Sequence, residues 1–440
     1  MNVFKNFFLN FLVMMSLVVN TFGSQLPVDC SCNTDTTSSI HTITSQGNLL
    51  SLRCILDKNN ALVNKRNLAS QLPIHIAVEK NNIGAMELLA KYGATLTARN
   101  AFGMSPLHIA ICNGNLNTIR WLVLNGTPIN PQNHEGQEPI HYAAMYEYVN
   151  IMNFLKKHGA DINVSDFHGK QPMHYAALGN PSKTKNATYQ TNAMMWLAKN
   201  NVSVRVRDDL GREPIYYAVK NHNLRAVQWL LNNGASVDAQ DSTGAYPIHF
   251  AAQAWNTPMT KALNNRGAAT NICNINGKKS NNDALINSSI NIMETLVSHG
   301  ADVNSQNQYG IAPIHIASQY GFITLIQWLK KHGANAFIKD HIGSQAIHFA
   351  AQEGQPEALK LLIQYGADPC ITDVMGSQPI HGAAFAGSIK ALKILIDNGA
   401  NINAANYNNT LPIELARDRD HNNVITWLLA HGAKARKDEL

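Results

Sequence analysis

Charge is scarce in this chain. Asp, Glu, Lys and Arg make up 15% of the 440 residues, and 35 basic against 29 acidic side chains leave a net charge of +6. The basic residues are spread out. No basic stripe carries interleaved aromatics, so a nucleic-acid partner is not expected. Cysteine is equally sparse: Cys30, Cys32, Cys54, Cys112, Cys273 and Cys370 stand in no metal-ligand spacing. Cys54 and Cys112 fall at apolar helix positions and read as small core residues. Cys30 and Cys32 lie in a polar stretch and oxidise most readily outside a reducing cytosol. No Gly-rich phosphate loop follows a strand-like run, and no nucleophile stands at a recognisable distance from a base. No catalysis, cofactor or metal is expected.

What the chain does have is a short motif that returns. Pro73-Ile74-His75-Ile76-Ala77 is followed by Pro106-Leu107-His108-Ile109-Ala110 and Pro139-Ile140-His141-Tyr142-Ala143. Pro172, Pro247, Pro313 and Pro379 open further copies, and looser ones begin at Pro214, Ala346 and Pro412. The step from copy to copy is 33 residues. Two steps differ. From Pro172 to Pro214 it is 42, a 9-residue insertion near residues 180–188, and from Pro247 to Pro313 it is 66. Gly267, Asn271, Gly277 and Ala284 lie 33 before Gly300, Asn304, Gly310 and Ala317. The double step therefore reads as a decayed repeat over residues 256–288, with a polar loop of matching length as the competing reading.

Proline suits the first turn of a helix, because its φ is already helical and its missing N–H is not needed there. Later in each unit, Leu392, Leu395 and Ile396 show one apolar helical face. Gly399 then offers the positive φ that ends a helix. A unit this small cannot bury its apolar face alone, so neighbours must stack. Both the motif and the period resemble the ankyrin repeat family, whose unit is a turn and two helices with the signature T-P-L-H-x-A. The resemblance covers residues 45–433. It implies an all-α solenoid of about ten to eleven helix-turn-helix units with β-hairpin-like turns. The Thr before Pro is absent here apart from a Ser at Ser105, which removes a hydroxyl at the helix start. Units weaker than the family consensus are expected.

The ends differ in kind. Lys5 precedes the apolar run of residues 7–19, and small residues follow at Thr21, Gly23 and Ser24. Residues 1–23 read as a signal peptide, since the run is short of the roughly 20 residues that span a bilayer. A retained anchor is the alternative. Asp29 before Cys30 argues against a lipid anchor. Residues 24–44 read as a polar linker, and residues 47–58 as half a repeat capping the array. The tail, residues 434–440, ends in Lys437-Asp438-Glu439-Leu440, an endoplasmic-reticulum retrieval address. Secretion is expected, with retention in a eukaryotic lumen through that tetrapeptide, or a bacterial periplasm or exterior as the alternative. Sequons at Asn125, Asn163, Asn186, Asn201, Asn287 and Asn408 matter only in such a lumen.

Of the 18 histidines, eight recur in the motif, and His158, His299, His332 and His431 precede the glycine that ends each unit. Their recurrence separates them by a repeat's thickness, too far to share an ion. The resemblance implies structural hydrogen bonds for the motif histidines. Trp121, Trp196, Trp229, Trp328 and Trp427 fall on second helices; Trp255 breaks the pattern and reads as a plug beside the poorly packed stretch. The resemblance also implies partner contacts at turn tips and inner helices along a concave face. Phe102, Leu210, Tyr309, Ile342 and Met375 are the apolar tip residues, with Tyr407 one place earlier in its repeat. Met145, Tyr146, Tyr320 and Phe385 take the outward inner-helix positions. The expectation is a monomeric, secreted, non-catalytic scaffold for a protein partner. It is similar in style to ankyrin proteins that intracellular bacteria export toward host cells. The alternatives are a spacer module, or an enzyme with a site near Trp255.

Overall fold

The computed structural model describes residues 39–180, 190–253 and 281–434, with side chains from residue 290 onward in the last span. The expected signal peptide, the inserted residues 181–188, Trp255 and the terminal tetrapeptide lie outside the described residues. The chain divides into two compact units, Met1–Thr95 and Leu96–Leu440. The described residues contain helices and no strand.

Among its described residues, the first unit holds two helix pairs, α1 (Ile40–Gln46) with α2 (Leu49–Lys58), and α3 (Pro73–Glu79) with α4 (Ile83–Lys91). This corrects two expectations. Helix α1 begins inside the stretch assigned to a linker, and the cap is a whole pair rather than half a repeat. Ser39 starts α1 by accepting the Thr42 N–H, while Ile40, Ile43 and Thr44 are buried. Ile40 lies 33 residues before Pro73, so α1 keeps the phase after the Pro is lost. His41 bonds through Nε2 to the Gln71 carbonyl at 3.0 Å, one place out of the motif register.

Among its described residues, the second unit stacks nine helix pairs. Its inner helices are α5 (Pro106–Cys112), α7 (Pro139–Met145), α9 (Pro172–Leu178), α11 (Pro214–Lys220), α13 (Pro247–Gln253), α15 (Pro313–Gln319), α17 (Ala346–Gln352), α19 (Pro379–Phe385) and α21 (Pro412–Arg417). The outer helices are α6 (Leu116–Leu124), α8 (Val149–Lys157), α10 (Asn192–Lys199), α12 (Leu224–Asn232), α14 (Asn281–Ser298), α16 (Ile323–Lys331), α18 (Pro356–Gln364), α20 (Ile389–Asp397) and α22 (Asn422–Ala430).

One pair shows the logic of all. Ile314 and Ala317 of α15 are fully buried, as are Leu325, Ile326 and Leu329 of α16. Each of these Ile and Leu side chains contributes about 1.5–3 kcal/mol on burial. The end of α16 is closed by His332, whose Nδ1 meets the Trp328 carbonyl at 2.8 Å while the ring stacks on the indole at 3.8 Å. Asn398 closes α20 the same way, donating from Nδ2 to the Ile394 carbonyl at 2.7 Å. Histidine and asparagine before the terminal glycine are thus exchangeable helix caps.

Residues 254–280, which hold most of the expected decayed repeat, lie outside the described residues; the described elements on either side of the 66-residue step meet directly. Helix α13 packs directly against α15, with no inner helix between them. The Gln308 N–H donates to the Thr243 carbonyl at 3.2 Å, and His249 Nε2 meets the Ile311 carbonyl at 2.8 Å. The turns on either side of the step are therefore immediate neighbours. Helix α14 runs unbroken where a helix-turn-helix would bend, and it packs on α12 and α13 as the outer partner of α13. Its Ile292, Met293 and Leu296 are buried. The extra residues interrupt one pair between its inner and outer helix, as the shorter insertion does between α9 and α10.

Some neighbouring pairs are also clamped beyond the far end of the outer helix. Asn304 donates from Nδ2 to the Gly333 carbonyl at 3.1 Å and accepts the Asn335 N–H at 2.7 Å. Asn403 repeats this with Gly432 and Lys434. Cys370 occupies the equivalent position and offers only a thiol, 3.4 Å from the Gly399 carbonyl. Cys370→Asn restores an amide donor and acceptor. It is expected to stabilise the chain by about 1 kcal/mol, read as a higher urea midpoint; an unchanged or lower midpoint contradicts the clamp.

Candidate partner-binding surface

Each motif histidine is spent on structure. His315 Nδ1 accepts the Ala312 N–H at 2.9 Å, and its Nε2–H donates to the Ile338 carbonyl of the next turn at 2.9 Å. His108, His174 and His381 make the same pair of bonds, reaching the carbonyls of Gln137, Arg212 and Thr410. One nitrogen must accept and the other donate, so the rings are neutral. Burial pushes His108 down to about 4 and lowers the others. Where α11 carries Tyr216 instead, its hydroxyl contacts the Ala239 and Ala245 carbonyls, the same two turn positions. The histidine ring also takes the N–H of the residue before Pro, so the missing Thr leaves no orphan donor there. Ser105 alone adds a hydroxyl contact, to His108 Nδ1 at 2.9 Å. Among the described residues, no group of three or more His, Cys, Asp or Glu could hold a metal ion.

An Asp or Asn opens each turn. Asp340 Oδ1 accepts the Ile342 and Ser344 N–H groups at 3.0 and 2.7 Å; Asp373 does the same for Met375 and Ser377, each at 2.8 Å. Each tip carbonyl then accepts an N–H from the next turn. His341 N–H reaches Tyr309 O at 3.0 Å, Val374 N–H reaches Ile342 O at 2.9 Å, and Tyr407 N–H reaches Met375 O at 3.0 Å. Backbone bonds thus hold successive tips side by side without help from their side chains.

Those side chains stand in solvent. Tyr309, Ile342 and Met375 are 55%, 56% and 50% exposed, and Tyr407 is 74% exposed while its ring lies across Gly376. Leu210 is exposed and Phe102 half-buried. The tips do not merely pack on neighbouring turns. Val374, also exposed, belongs to the same strip and was missed because it sits one residue before the tip. Exposed Phe167, over Gly136, was missed for the same reason. The residue before each tip lies across the preceding turn glycine, so two residues per turn, not one, reach the surface.

On the inner helices the outcome divides. Tyr320 is half-buried and stacks on Phe322 at 5.5 Å; Phe385 is half-buried, with the Arg419 guanidinium 4.0 Å from its ring. Met145 and Tyr146 are buried, at 4% and 5% exposure, and are not surface residues as expected. Tyr146 belongs to an aromatic cluster with Tyr142 and Tyr148, at 6.4 and 5.8 Å. Three tyrosines in seven residues enclose one another, which single-position reasoning could not show.

Two-helix units joined by buried imidazoles, with turns linked tip to tip, define a helical-repeat protein. An ankyrin-repeat family model of three copies matches residues 40–133, 107–186, 168–241, 215–307, 282–373 and 347–438. The chain belongs to the ankyrin repeat family. Such repeats generally mediate protein–protein interaction. No curated protein matches the chain. Among the described residues, no helix is long and apolar enough to cross a membrane.

Proposed function

We propose that the chain is a non-catalytic scaffold that captures a partner protein on the strip formed by Tyr309, Ile342, Val374, Met375 and Tyr407. The carrying observation is that these apolar side chains are exposed on turns already fixed by backbone bonds. Contiguous exposed apolar patches mark interaction sites, and a rigid platform loses little entropy on binding. Phe102, Leu210, Tyr320 and Phe385 extend the surface along the stack. Export through the N-terminal segment, and delivery toward a host cell with the terminal Lys437-Asp438-Glu439-Leu440 as a borrowed lumenal address, complete the reading. The supports for these last points are the sequence features alone.

The test is a crosslinking pull-down from host lysate with the wild type and with Tyr309, Ile342 and Met375 all changed to Ser. Loss of a partner in the variant, with helicity unchanged, is the expected result. A spacer would retain every partner. Fractionation of infected cells tests delivery separately, and its absence from host fractions would overturn that part.

A further inference from the structure

The turn position after the tip glycine is uncharged in most of the stack: Gln137, Ala245, Ser344, Ser377 and Thr410. In two successive pairs it is Lys170 and Arg212. The last residue of the inner helix that follows, Lys220 of α11, is a cation as well, where Cys112, Gln319 and Gln352 stand elsewhere. Three cations therefore meet on one stretch of the inner-helix face. The Lys170 ammonium lies 5.9 Å from the Tyr217 ring centre, and the Arg212 guanidinium 5.3 Å from that of Phe250.

The carboxylates beneath them are already engaged. Asp208 accepts the Leu210 and Arg212 N–H groups at 2.9 and 2.8 Å and the Tyr217 hydroxyl. Asp241 accepts the Thr243 and Ala245 N–H groups at 2.8 and 3.1 Å and faces Arg212 Nε at 3.4 Å. Both are buried, whereas Lys220 is exposed and the Arg212 side chain keeps a quarter of its surface. Asp208 and Asp241 are sunk, Arg212 is paired with Asp241, and Lys220 reaches the surface beside the exposed Asp209 turn. Desolvation first, then Arg212 and Lys170, push the Lys220 ammonium below its ordinary range. An anion placed among the three would relieve that repulsion.

We propose that Lys170, Arg212 and Lys220 form an acceptor for a carboxylate-rich segment of the partner protein. It rests on the binding-scaffold reading and gives the partner a chemistry that the apolar tips do not. The cations come from two successive turns and a helix, so they spread charge along the stack. That suits several carboxylates on an extended chain better than a single phosphate group. Single-stranded nucleic acid binds by stacking bases on open aromatic faces. Here the Tyr217 ring is buried and the cations lie over it and over Phe250.

The experiment uses the full chain and a fluorescein-labelled octapeptide of alternating Glu and Gly, read by polarisation at low salt. The wild type should bind, and 0.3 M salt should weaken it. Lys170→Gln combined with Lys220→Gln should cost about tenfold in affinity, as two partly exposed ion pairs would, with helicity and melting unchanged. Equal affinity in wild type and variant overturns the proposal. So does tighter binding of a phosphoserine octapeptide or of an oligothymidylate. The triple-Ser tip variant separates the two readings. If it loses the lysate partner while the peptide fails to bind the wild type, only the acceptor falls. If the peptide binds and the tip variant loses nothing, only the tip strip falls.

Discussion

Melting temperature is expected to drop by at least about 10 °C between pH 7 and pH 5. Seven motif histidines, His108, His141, His174, His249, His315, His348 and His381, have pKa values lowered chiefly by burial. Each is neutral in the folded chain and protonates near 6.5 when unfolded. A base with a depressed folded pKa contributes stability that is fully present above the unfolded value. The contribution is lost as pH falls toward the folded one. For His108 the window runs from about 6.5 down to about 4, which corresponds to about 3 kcal/mol for this one fully buried ring.

Carboxylates oppose the trend. Burial raises Glu147 to about 7 and also raises Glu138 and Glu213. These gain stability as the pH falls, but the seven histidines outnumber them. Glu147→Gln removes one opponent and should steepen the loss. His381→Tyr should make it shallower, because Tyr216 already shows that a phenol can reach the same carbonyls without titrating in this range. Circular dichroism melts at pH 7, 6 and 5 read all three slopes. A melting temperature independent of pH would rule out neutral buried imidazoles as the link between repeats.

The Pro and His positions show why so much of this fold was legible. Pro marks a helix start and His marks a carbonyl in the next turn, so a local motif encodes a non-local contact. Where the motif weakens, legibility fails in two ways. At Ile40 the Pro is gone and His41 is shifted by one, yet the phase persists, so counting back 33 from Pro73 would have found α1. Across the 66-residue step the phase also matches, yet the described turns at Thr243 and Gln308 bond to each other directly. Phase is sufficient only where apolar residues can fill the inner-helix slot. Lys170, Arg212 and Lys220 were individually visible. Their meeting was not, because 42 residues separate the two turn positions and only stacking brings them together.

Gly310→Val should cost about 3–5 kcal/mol, the sum of a β-branched residue at positive φ and a direct backbone collision. Gly310 has φ +76°, and a Cβ there would lie 2.7 Å from the His341 nitrogen and 2.8 Å from the Asp340 Cα. Neither atom can retreat, because His341 N–H is bonded to Tyr309 O at 3.0 Å and Asp340 opens the next turn. Gly399 provides the comparison: its φ is +101°, but nothing lies within 4 Å of an added Cβ. Gly399→Ala should therefore lose only the backbone preference, about 1–2 kcal/mol. The two variants differ in kind as well as size. In a stack where each unit touches only its neighbours, a strained junction splits cooperativity. Urea unfolding of Gly310→Val should separate into two transitions, one for the pairs before the junction and one for those after it. Gly399→Ala should keep the wild-type profile at a lower midpoint. The Gly310 variant should also weaken partner capture, since Tyr309 is set beside Ile342 by the bond that the valine displaces. A single transition at the wild-type midpoint for Gly310→Val would show that the tips are not what couples one repeat to the next.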